Sequence, residues 1–476
     1  MVYQQFQAIV QQQPSAMAVF SGDQQLSYLE LNERILAFAA SLANQGAGLG
    51  SVVAVALPNS IEFVIATFAG FRLGAVVLPL NVNYTDHEIE IYLQNSSAAW
   101  VVGNTNQIER ISKLAIQAST VNIESVGDAS SLPEISVLNL HPALVMFSSG
   151  STGGAKQVTR TYQNLTAEWQ AARDSIGINE TDVILCSVPM YHAHGFSNCI
   201  LAALLNGASL VITLGEFNPR AIVKALIKYQ VSIYPSATFM LKMLTSVRLK
   251  EKPDPERLRL VYSAGAALDS SVISDFTEIF SITPNQLYGS TETGAISLNM
   301  GAGPVNSVGK AFGNTKIMIL AEQGDSMAPG DEGEIVISSA ATAIRYDGMP
   351  EQSSLVFKYG FYYTGDLGYL DDAGYLIITG RKKLMINVAG LKVDPTEVES
   401  ILAALPGVKE VVVLGKKDSD YGELVKAVIV ADEGLTEADI ITCCKSHLAE
   451  YKWPKSIEFR KEIPKNAMGK ILKKYL

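Results

Sequence analysis

Short continuous runs of apolar residues alternate with amphipathic segments through the first 300 or so residues of the chain. The runs at 52–57 and 74–80 are typical of strands that are buried on both faces. The segments at 32–44 and 61–73 repeat their apolar residues at helical spacing. This alternation predicts an α/β fold with a largely parallel sheet covered by helices. Further strands of the same kind are predicted at 183–186, 209–212, 231–234 and 260–262.

After about residue 300 the pattern changes to short strands separated by Gly/Asp turns, as at 333–337 and 374–378. This pattern predicts a smaller antiparallel or barrel-like portion. Beyond Arg381 a compact α+β unit is predicted. Its first helix should begin at Asp394-Pro395, where an N-cap residue precedes a first-turn proline. The remaining elements of this unit are predicted as strands at 410–414 and 424–430 and a helix at 436–449.

Length and composition limit the class of protein. A chain of 476 residues is too long for one ordinary core, and 48% hydrophobic with 18% charged residues is typical of a globular protein. The net charge of −10 argues against a nucleic-acid-binding surface, although a local basic pocket for a small anion remains possible. The four cysteines show no metal-ligand spacing, which favours reduced thiols.

The N-terminus has no basic segment followed by an apolar one, so no signal peptide is predicted. The apolar stretch at 201–214 is interrupted by Asn206 and Gly207 and is too short to span a bilayer. It is predicted to be a core helix followed by a strand. We therefore expect a cytoplasmic protein without a membrane span.

A loop rich in hydroxyls and glycines follows the apolar run at 143–147. Its glycines would let the backbone approach an anion closely, and Lys156 at its end adds a positive charge suited to phosphates. An ordinary flexible turn explains the composition equally well. The loop is not a Walker A motif, because Ala155 replaces the second glycine and Gln157 replaces the metal-binding hydroxyl residue.

Two carboxylates occupy glycine-flanked loops further along the chain. Glu292 lies in the sequence Tyr-Gly-Ser-Thr-Glu-Thr-Gly, and a single carboxylate on a tight loop suits magnesium. Asp366 lies in Tyr-Thr-Gly-Asp, where a carboxylate can accept both hydroxyls of a ribose. Solvated turns are the alternative interpretation of both loops.

Two basic motifs complete the set. Arg381 follows a predicted strand at the domain boundary and could bind a sugar or phosphate, although a solvated basic linker is the simpler interpretation. Lys470 lies in a Pro-Lys-Asn-Ala-Met-Gly-Lys segment near the end of the chain, where a frayed tail is the usual expectation.

The order of these five motifs is more specific than any one of them. Together they resemble the adenylate-forming superfamily, which comprises acyl- and aryl-CoA synthetases, nonribosomal peptide adenylation domains and firefly luciferase. The resemblance extends from about residue 20 to Lys470. It implies a large N-terminal domain, 1–380, of doubly wound parallel sheets plus a small distorted β-barrel, followed by a mobile α+β domain, 381–476.

The resemblance also implies the reaction and the roles of matching residues. ATP and a carboxylate form an acyl-adenylate and pyrophosphate, and a thiol then displaces AMP. Thr291 would contact the α-phosphate, Glu292 would bind Mg²⁺, and Lys470 would bridge the substrate carboxylate and the α-phosphate. Asp366 would bind the ribose, with Arg381 close by. The pyrophosphate loop would comprise Ser148, Ser149, Gly150, Ser151, Thr152, Gly153 and Lys156, and the adenine would lie beside Tyr288, Gly265 and Ala266.

Domain rotation is a further implication of the resemblance. The hinge aligns with Lys383, and the loop around Gly390 would face the thiol after Lys470 withdraws. A lysine that is present for one half-reaction only would be gated by domain closure. The departures from the family pattern are Ala155 and Gln157, which usually are proline and glycine, and neither change removes a donor group.

The segment 189–198 matches the family's substrate-entry motif. His192 aligns with the residue near the substrate carboxylate and the thiol tunnel, whereas His194 has no such alignment and is expected to be structural. Amino-acid-activating members place an aspartate in this segment to bind the substrate ammonium. No Asp or Glu occurs between 189 and 205, which favours an acyl or aryl acid without an ammonium, unless another carboxylate reaches the site.

The sequence leaves the acceptor open. CoA is the favoured thiol, and the phosphopantetheine arm of a separate acyl or peptidyl carrier protein is the alternative. A luciferase-type oxygenase would use the same motifs. A non-enzymatic nucleotide-binding regulator would be expected to lack Lys470, Glu292 or Asp366, and all three are present.

Overall fold

The computed structural model describes residues 2–148, 156–247, 251–321, 323–381, 385–464 and 476. The described residues divide into two compact units. The larger comprises the described residues within 1–82, 92–147 and 157–380, and the smaller comprises those within 83–91, 148–156 and 381–476. The predicted hinge residue, Lys383, lies outside the described residues.

Strands and helices alternate through the first part of the chain, as the hydrophobic pattern predicts. They are α1 (Val2–Gln12), β1 (Met17–Ser21), β2 (Gln24–Ser27), α2 (Tyr28–Asn44), β3 (Val52–Ala56), α3 (Ile61–Arg72), β4 (Val76–Pro79), α4 (Asp86–Asn95), β5 (Trp100–Gly103), α5 (Thr105–Ile111), β6 (Ser119–Asn122), β7 (Pro142–Ser148), β8 (Lys156–Thr161) and α6 (Tyr162–Ile176).

The alternation continues to β14 and then gives way to short strands. The elements are β9 (Val183–Cys186), α7 (Ala193–Gly195), α8 (Ala202–Leu204), β10 (Ser209–Ile212), α9 (Pro219–Lys228), β11 (Ile233–Ala237), α10 (Thr238–Thr245), β12 (Leu260–Ala264), α11 (Ser270–Phe280), β13 (Asn285–Ser290), β14 (Gly294–Leu298), β15 (Lys310–Ala311), β16 (Lys316–Leu320), β17 (Gly333–Ser338), α12 (Pro350–Val356), β18 (Phe357–Lys358), β19 (Phe361–Leu370) and β20 (Leu376–Arg381).

The smaller unit contains the α+β elements that were predicted beyond Arg381. They are β21 (Ile386–Val388), β22 (Leu391–Val393), α13 (Pro395–Ala403), β23 (Val408–Asp418), β24 (Gly422–Ala431), α14 (Glu437–His447) and β25 (Ser456–Phe459). Its described strands form one sheet in the order β22-β21-β24-β23, with β25 on β24. None of the described helices is long and apolar enough to cross a membrane.

Two parallel sheets dominate the larger unit. Among the described residues, one sheet has the order β15-β14-β13-β12-β11-β9-β10-β1-β2 and the other the order β6-β5-β3-β4-β7-β8. Pairing is parallel from β13 through β1 in the first sheet, with antiparallel strands added at both edges. A third, antiparallel sheet has the order β16-β17-β19-β18, with β20 on β19. The predicted α/β fold with an added antiparallel portion is confirmed.

The core of the larger unit is built around α3. Almost every side chain of this helix is buried, because the helix is apolar on all sides. Phe71 makes edge-to-face contacts with Tyr162 and Phe196 at 5.9 and 6.3 Å between ring centroids. Such aromatic pairs add to the stabilisation from burial alone. The same buried cluster includes Ile184 of β9 and Leu287 of β13, so it also supports strands whose ends carry the candidate site.

Two of the boundaries that differ from the prediction have a clear physical reason. Helix α2 begins at Tyr28 rather than residue 32, because Ser27 and Glu30 form a reciprocal capping box. The helix expected from residue 201 lies mostly upstream of that residue. It comprises α7, a π-helical segment Phe196–Leu201 and α8. The apolar run at 201–214 covers only its last turn and β10, so hydrophobicity alone misplaced the helix.

Candidate active site

The carboxyl ends of parallel strands β9, β11, β12 and β13 meet at one edge of the nine-stranded sheet. Ala264 pairs with both Ala237 and Leu287, so the residues that follow these strands emerge at the same edge. Gly265 and Ala266 follow β12, and Gly265 adopts a φ of +93°, a conformation that favours glycine. Ligands of open α/β sheets bind at such edges. Predicted adenine-site residues therefore lie where a nucleotide site is expected.

Glu292 lies in the loop between β13 and β14, beyond the same edge. Its side chain is 6% exposed, and its Oε1 accepts a hydrogen bond of 2.8 Å from the Tyr346 hydroxyl. Thr291 precedes it and is half-buried. A buried carboxylate of this kind fits a magnesium ion that retains water and substrate phosphates as its other ligands.

Asp366 lies on β19 of the antiparallel sheet and is brought to Tyr288 at the end of β13. The Tyr288 hydroxyl donates to Asp366 Oδ2 at 2.5 Å, and both side chains are buried. Burial raises the pKa of Tyr288 well above its usual value, and the Asp366 carboxylate raises it further. The phenol is therefore a permanent donor to the carboxylate predicted to bind the ribose. The adenine contact of Tyr288 stays a prediction.

The side chain of Asn59 holds the backbone of the loop that carries His192. Asn59 donates from Nδ2 to the Val188 carbonyl at 2.9 Å and accepts at Oδ1 from the Met190 amide at 2.8 Å. Gly195 is required by the tight packing, because a Cβ at this position would lie 2.2 Å from the Pro189 carbonyl oxygen. His192 itself is exposed at the N-terminus of α7.

His194 is fixed as a neutral imidazole. Its Nε2 lies 3.0 Å from the Ser236 carbonyl, which can only accept, so Nε2 carries the proton. Its Nδ1 then accepts from Asn198 Nδ2 at 2.9 Å. Burial lowers the pKa of His194 to about 4, and the nearby His192 lowers it further, against the opposing effect of the Ser236 bond. The two ring nitrogens therefore link β11 to the π-helical segment by hydrogen bonds, as expected of a structural histidine.

This lowered pKa predicts a pH-dependent contribution to stability. The unfolded chain takes up the proton near pH 6.5, whereas folded His194 resists it until about pH 4, so stability is lost as the pH falls through this window. We expect wild type to lose up to about 3 kcal/mol relative to His194→Gln between pH 7 and pH 4. Urea denaturation at several pH values measures the difference. A difference that does not change with pH would contradict the assignment of a neutral ring.

A buried ion pair that the sequence did not indicate contacts the π-helical segment that follows the His192 loop. Arg160 Nη1 and Glu168 Oε2 are 2.8 Å apart, with side-chain exposures of 1% and 4%. The Ser197 hydroxyl donates to the same Glu168 oxygen at 2.8 Å. This carboxylate therefore joins β8, α6 and the π-helical segment. In the sequence, only the presence of a charged residue at an otherwise apolar position of α6 could have indicated it.

The smaller unit contains the remaining predicted residues that the structure describes. Arg381 is exposed, and Lys156, at the start of β8, is half-buried. Gly390 forms the tight turn between β21 and β22 with Ala389, and both have positive φ, as a two-residue hairpin requires. Ser148 ends β7. Ser149, Gly150, Ser151, Thr152, Gly153 and Lys470 lie outside the described residues, so their roles stay predictions.

Comparison with known families gives the class of protein. The family model described as AMP-binding enzyme matches residues 6–346, and that of the AMP-binding enzyme C-terminal domain matches residues 397–470. The chain therefore belongs to the adenylate-forming superfamily of AMP-binding enzymes. The predicted family is confirmed.

Individual relatives refine this class. The chain is 32% identical to an oxalate–CoA ligase of Arabidopsis thaliana, over 95% of this chain and 93% of the relative. It is 29% identical to the long-chain fatty acid–CoA ligase FadD13 of Mycobacterium tuberculosis, over 96% and 93%. A solved structure of o-succinylbenzoate–CoA synthetase from Bacillus subtilis, a double mutant with a product analogue, matches with a TM-score of 0.89 at 25% identity, covering 99% and 98% of the two chains. Together with the family match, these relatives show that the chain is an AMP-forming acid–thiol ligase, and they support the use of ATP and CoA.

Proposed function

We propose that this enzyme activates an acyl or aryl acid that lacks an ammonium group and transfers it to CoA. The proposal that the enzyme binds ATP rests mainly on two buried carboxylates, Glu292 and Asp366. Each accepts a hydrogen bond from a buried tyrosine hydroxyl. Glu292 follows β13 at the carboxyl edge of the parallel sheet, and Asp366 reaches Tyr288 of the same strand. Two carboxylates fixed in this way suit a nucleotide whose phosphates carry a metal ion and whose ribose hydroxyls need an acceptor.

The first half-reaction joins two anions. A substrate carboxylate oxygen attacks the α-phosphorus of ATP, the bond to the bridging oxygen of pyrophosphate breaks, and pyrophosphate leaves. Positioned cations and hydrogen-bond donors stabilise this charge, and Lys470 and Thr291 are the proposed groups. Magnesium held by Glu292 would supply further charge neutralisation at the phosphates.

The second half-reaction uses a different face of the small domain. The CoA thiol loses its proton to solvent, its sulfur attacks the acyl carbon of the adenylate, and AMP leaves with the electron pair of the broken acyl–oxygen bond. In this proposal the Gly390 turn borders the thiol and His192 lies near the reacting carboxyl group. Rotation at Lys383 would exchange Lys470 for this turn between the two half-reactions.

The charges near the substrate-entry segment support a substrate without an ammonium group. Within the described residues, Glu168 accepts a hydrogen bond from Ser197 of the 189–205 segment, and Arg160 already balances the charge of this carboxylate. A buried ammonium without its own carboxylate would be costly. The names of the relatives cover a small diacid and a long-chain fatty acid, so the chain length and the second functional group of the acid are left to experiment.

Pyrophosphate exchange into ATP tests the proposed substrate class. Acids are offered in matched pairs that differ only by an α-amino group, such as 3-phenylpropionate and phenylalanine, or butyrate and 2-aminobutyrate. We expect exchange with the member that lacks the amino group, at least about ten-fold faster than with its partner, because the ammonium would be desolvated without a counter-charge. Faster exchange with the amino acids would overturn the substrate class.

The acceptor is tested separately, once an acid has been found. AMP release is followed with CoA and with a phosphopantetheine-bearing acyl carrier protein at equal thiol concentrations. We expect turnover with CoA. Turnover with the carrier protein alone would replace CoA with the carrier arm while leaving the adenylation step intact.

A further inference from the structure

Tyr346 is buried against the carboxylate that is proposed to bind magnesium. It is 3% exposed, and its hydroxyl donates to Glu292 Oε1 at 2.8 Å. The two residues are 54 positions apart in the chain. Tyr346 lies outside the five sequence motifs described above. A hydrogen bond to a charged acceptor is stronger than one between neutral groups. This contact therefore restricts which way the carboxylate can point.

The tyrosine is itself held in place from several directions. Ser353 Oγ accepts from the Tyr346 amide at 2.8 Å and donates to the Tyr346 carbonyl at 3.0 Å. The ring makes an edge-to-face contact with Phe357 at 5.1 Å and packs with the fully buried Val158. A donor with its backbone and ring fixed loses little entropy when it binds a carboxylate.

The same segment also fixes the backbone of Glu292. The Ala343 amide donates to the Glu292 carbonyl at 2.7 Å, and the hydroxyls of Thr342 and Thr293 lie 3.2 Å apart. Residues 342–346 thus hold the main chain of Glu292 at one end and its side chain at the other.

The segment is in turn paired with the strand that follows the phosphate loop in sequence. Tyr346 forms an antiparallel bridge with Val158, and the Asp347 amide donates to the Gln157 carbonyl at 3.0 Å. The segment that holds the Glu292 carboxylate is therefore hydrogen-bonded to the backbone of β8. Glu292 is therefore connected through the 342–347 segment to Gln157 and Val158 of β8.

We propose that Tyr346 is a positioning residue that holds Glu292 in the orientation required for the metal of the metal–ATP complex. This inference rests on the proposed function, in which Glu292 binds magnesium. The phenol does not touch the nucleotide in this scheme and acts only through the carboxylate. Partners that orient a ligating carboxylate typically change metal affinity when they are removed.

The test compares ATP affinity with and without metal, in the absence of any acid substrate. Dissociation constants for ATP are measured by calorimetry with excess Mg²⁺ and with excess EDTA, and their ratio reports how much the metal strengthens binding. We expect Tyr346→Phe to reduce this ratio by about ten-fold to a hundred-fold, because the ring is kept and only the hydroxyl is lost. The affinity for metal-free ATP should remain that of wild type.

Two further variants distinguish the positioning of Glu292 from a nonspecific effect of losing a tyrosine hydroxyl. Tyr359→Phe makes the same chemical change on a side chain that is 86% exposed and should leave both constants unchanged. Glu292→Gln should lower the ratio by itself, and adding Tyr346→Phe to it should change the ratio by less than about two-fold, since the tyrosine acts through that carboxylate.

The remaining outcomes overturn the proposal in distinguishable ways. If Tyr346→Phe weakens ATP binding equally with and without metal, the tyrosine is a structural residue of the whole site. If the ratio is unchanged while wild type binds ATP more tightly with metal, Tyr346 does not position Glu292. A wild-type enzyme whose ATP affinity is indifferent to metal would instead overturn the metal role of Glu292 in the proposed function.

Discussion

Lys470→Ala is expected to slow adenylate formation by a factor of at least about 10² to 10³, the loss typical of removing one donor that stabilises transition-state charge. The carboxylate and the α-phosphate are both anionic, so a cation between them matters most while the new bond forms. Thioester formation from a preformed acyl-adenylate should proceed at close to the wild-type rate, because in the proposed scheme Lys470 has withdrawn by then. The two steps are measured by pyrophosphate exchange and by AMP release from synthetic adenylate plus CoA.

The matched control for this variant is Lys461→Ala, which removes an exposed lysine from the same unit. It should leave both half-reactions unchanged. If Lys470→Ala slowed both half-reactions equally, the proposed alternation between two arrangements of the small domain would be wrong. If it slowed neither, Lys470 would have no part in the chemistry.

Arg160→Met is expected to lower the free energy of unfolding by about 3 to 5 kcal/mol, because it leaves the buried Glu168 carboxylate without its cation. Arg160 also donates from Nη2 to the Ala341 carbonyl at 3.0 Å, and that acceptor would lose its partner as well. The midpoint of urea denaturation, followed by far-ultraviolet circular dichroism, should fall accordingly.

Two comparisons identify the cause of this loss. Adding Glu168→Gln to Arg160→Met should recover part of the stability, since the uncompensated charge is removed while an acceptor for Ser197 remains. Arg173→Met, on the same helix as Glu168 but in an ion pair with side-chain exposures of 45% and 59%, should cost at most about 1 kcal/mol. Equal losses for Arg160→Met and Arg173→Met would show that burial of the pair is unimportant.

The local elements of this protein could be predicted well from its sequence. β9 and β10 were predicted at 183–186 and 209–212, and they begin and end at those residues. Such agreement is expected, because a short apolar run bounded by polar residues has few alternatives inside an α/β fold. The start of α2 was predicted too late, because the helix begins at a capping box and not at the first apolar repeat.

The candidate site was predictable as a set of motifs but not as a set of contacts. The sequence by itself determined the superfamily and the chemistry, because the order of five polar motifs is specific even when each is ambiguous alone. Only the tertiary structure decided that Tyr288 holds Asp366 across 78 residues and that Tyr346 holds Glu292 across 54. These partners lie on different sheets and loops, and strand register, which no local pattern records, brings them within hydrogen-bonding distance.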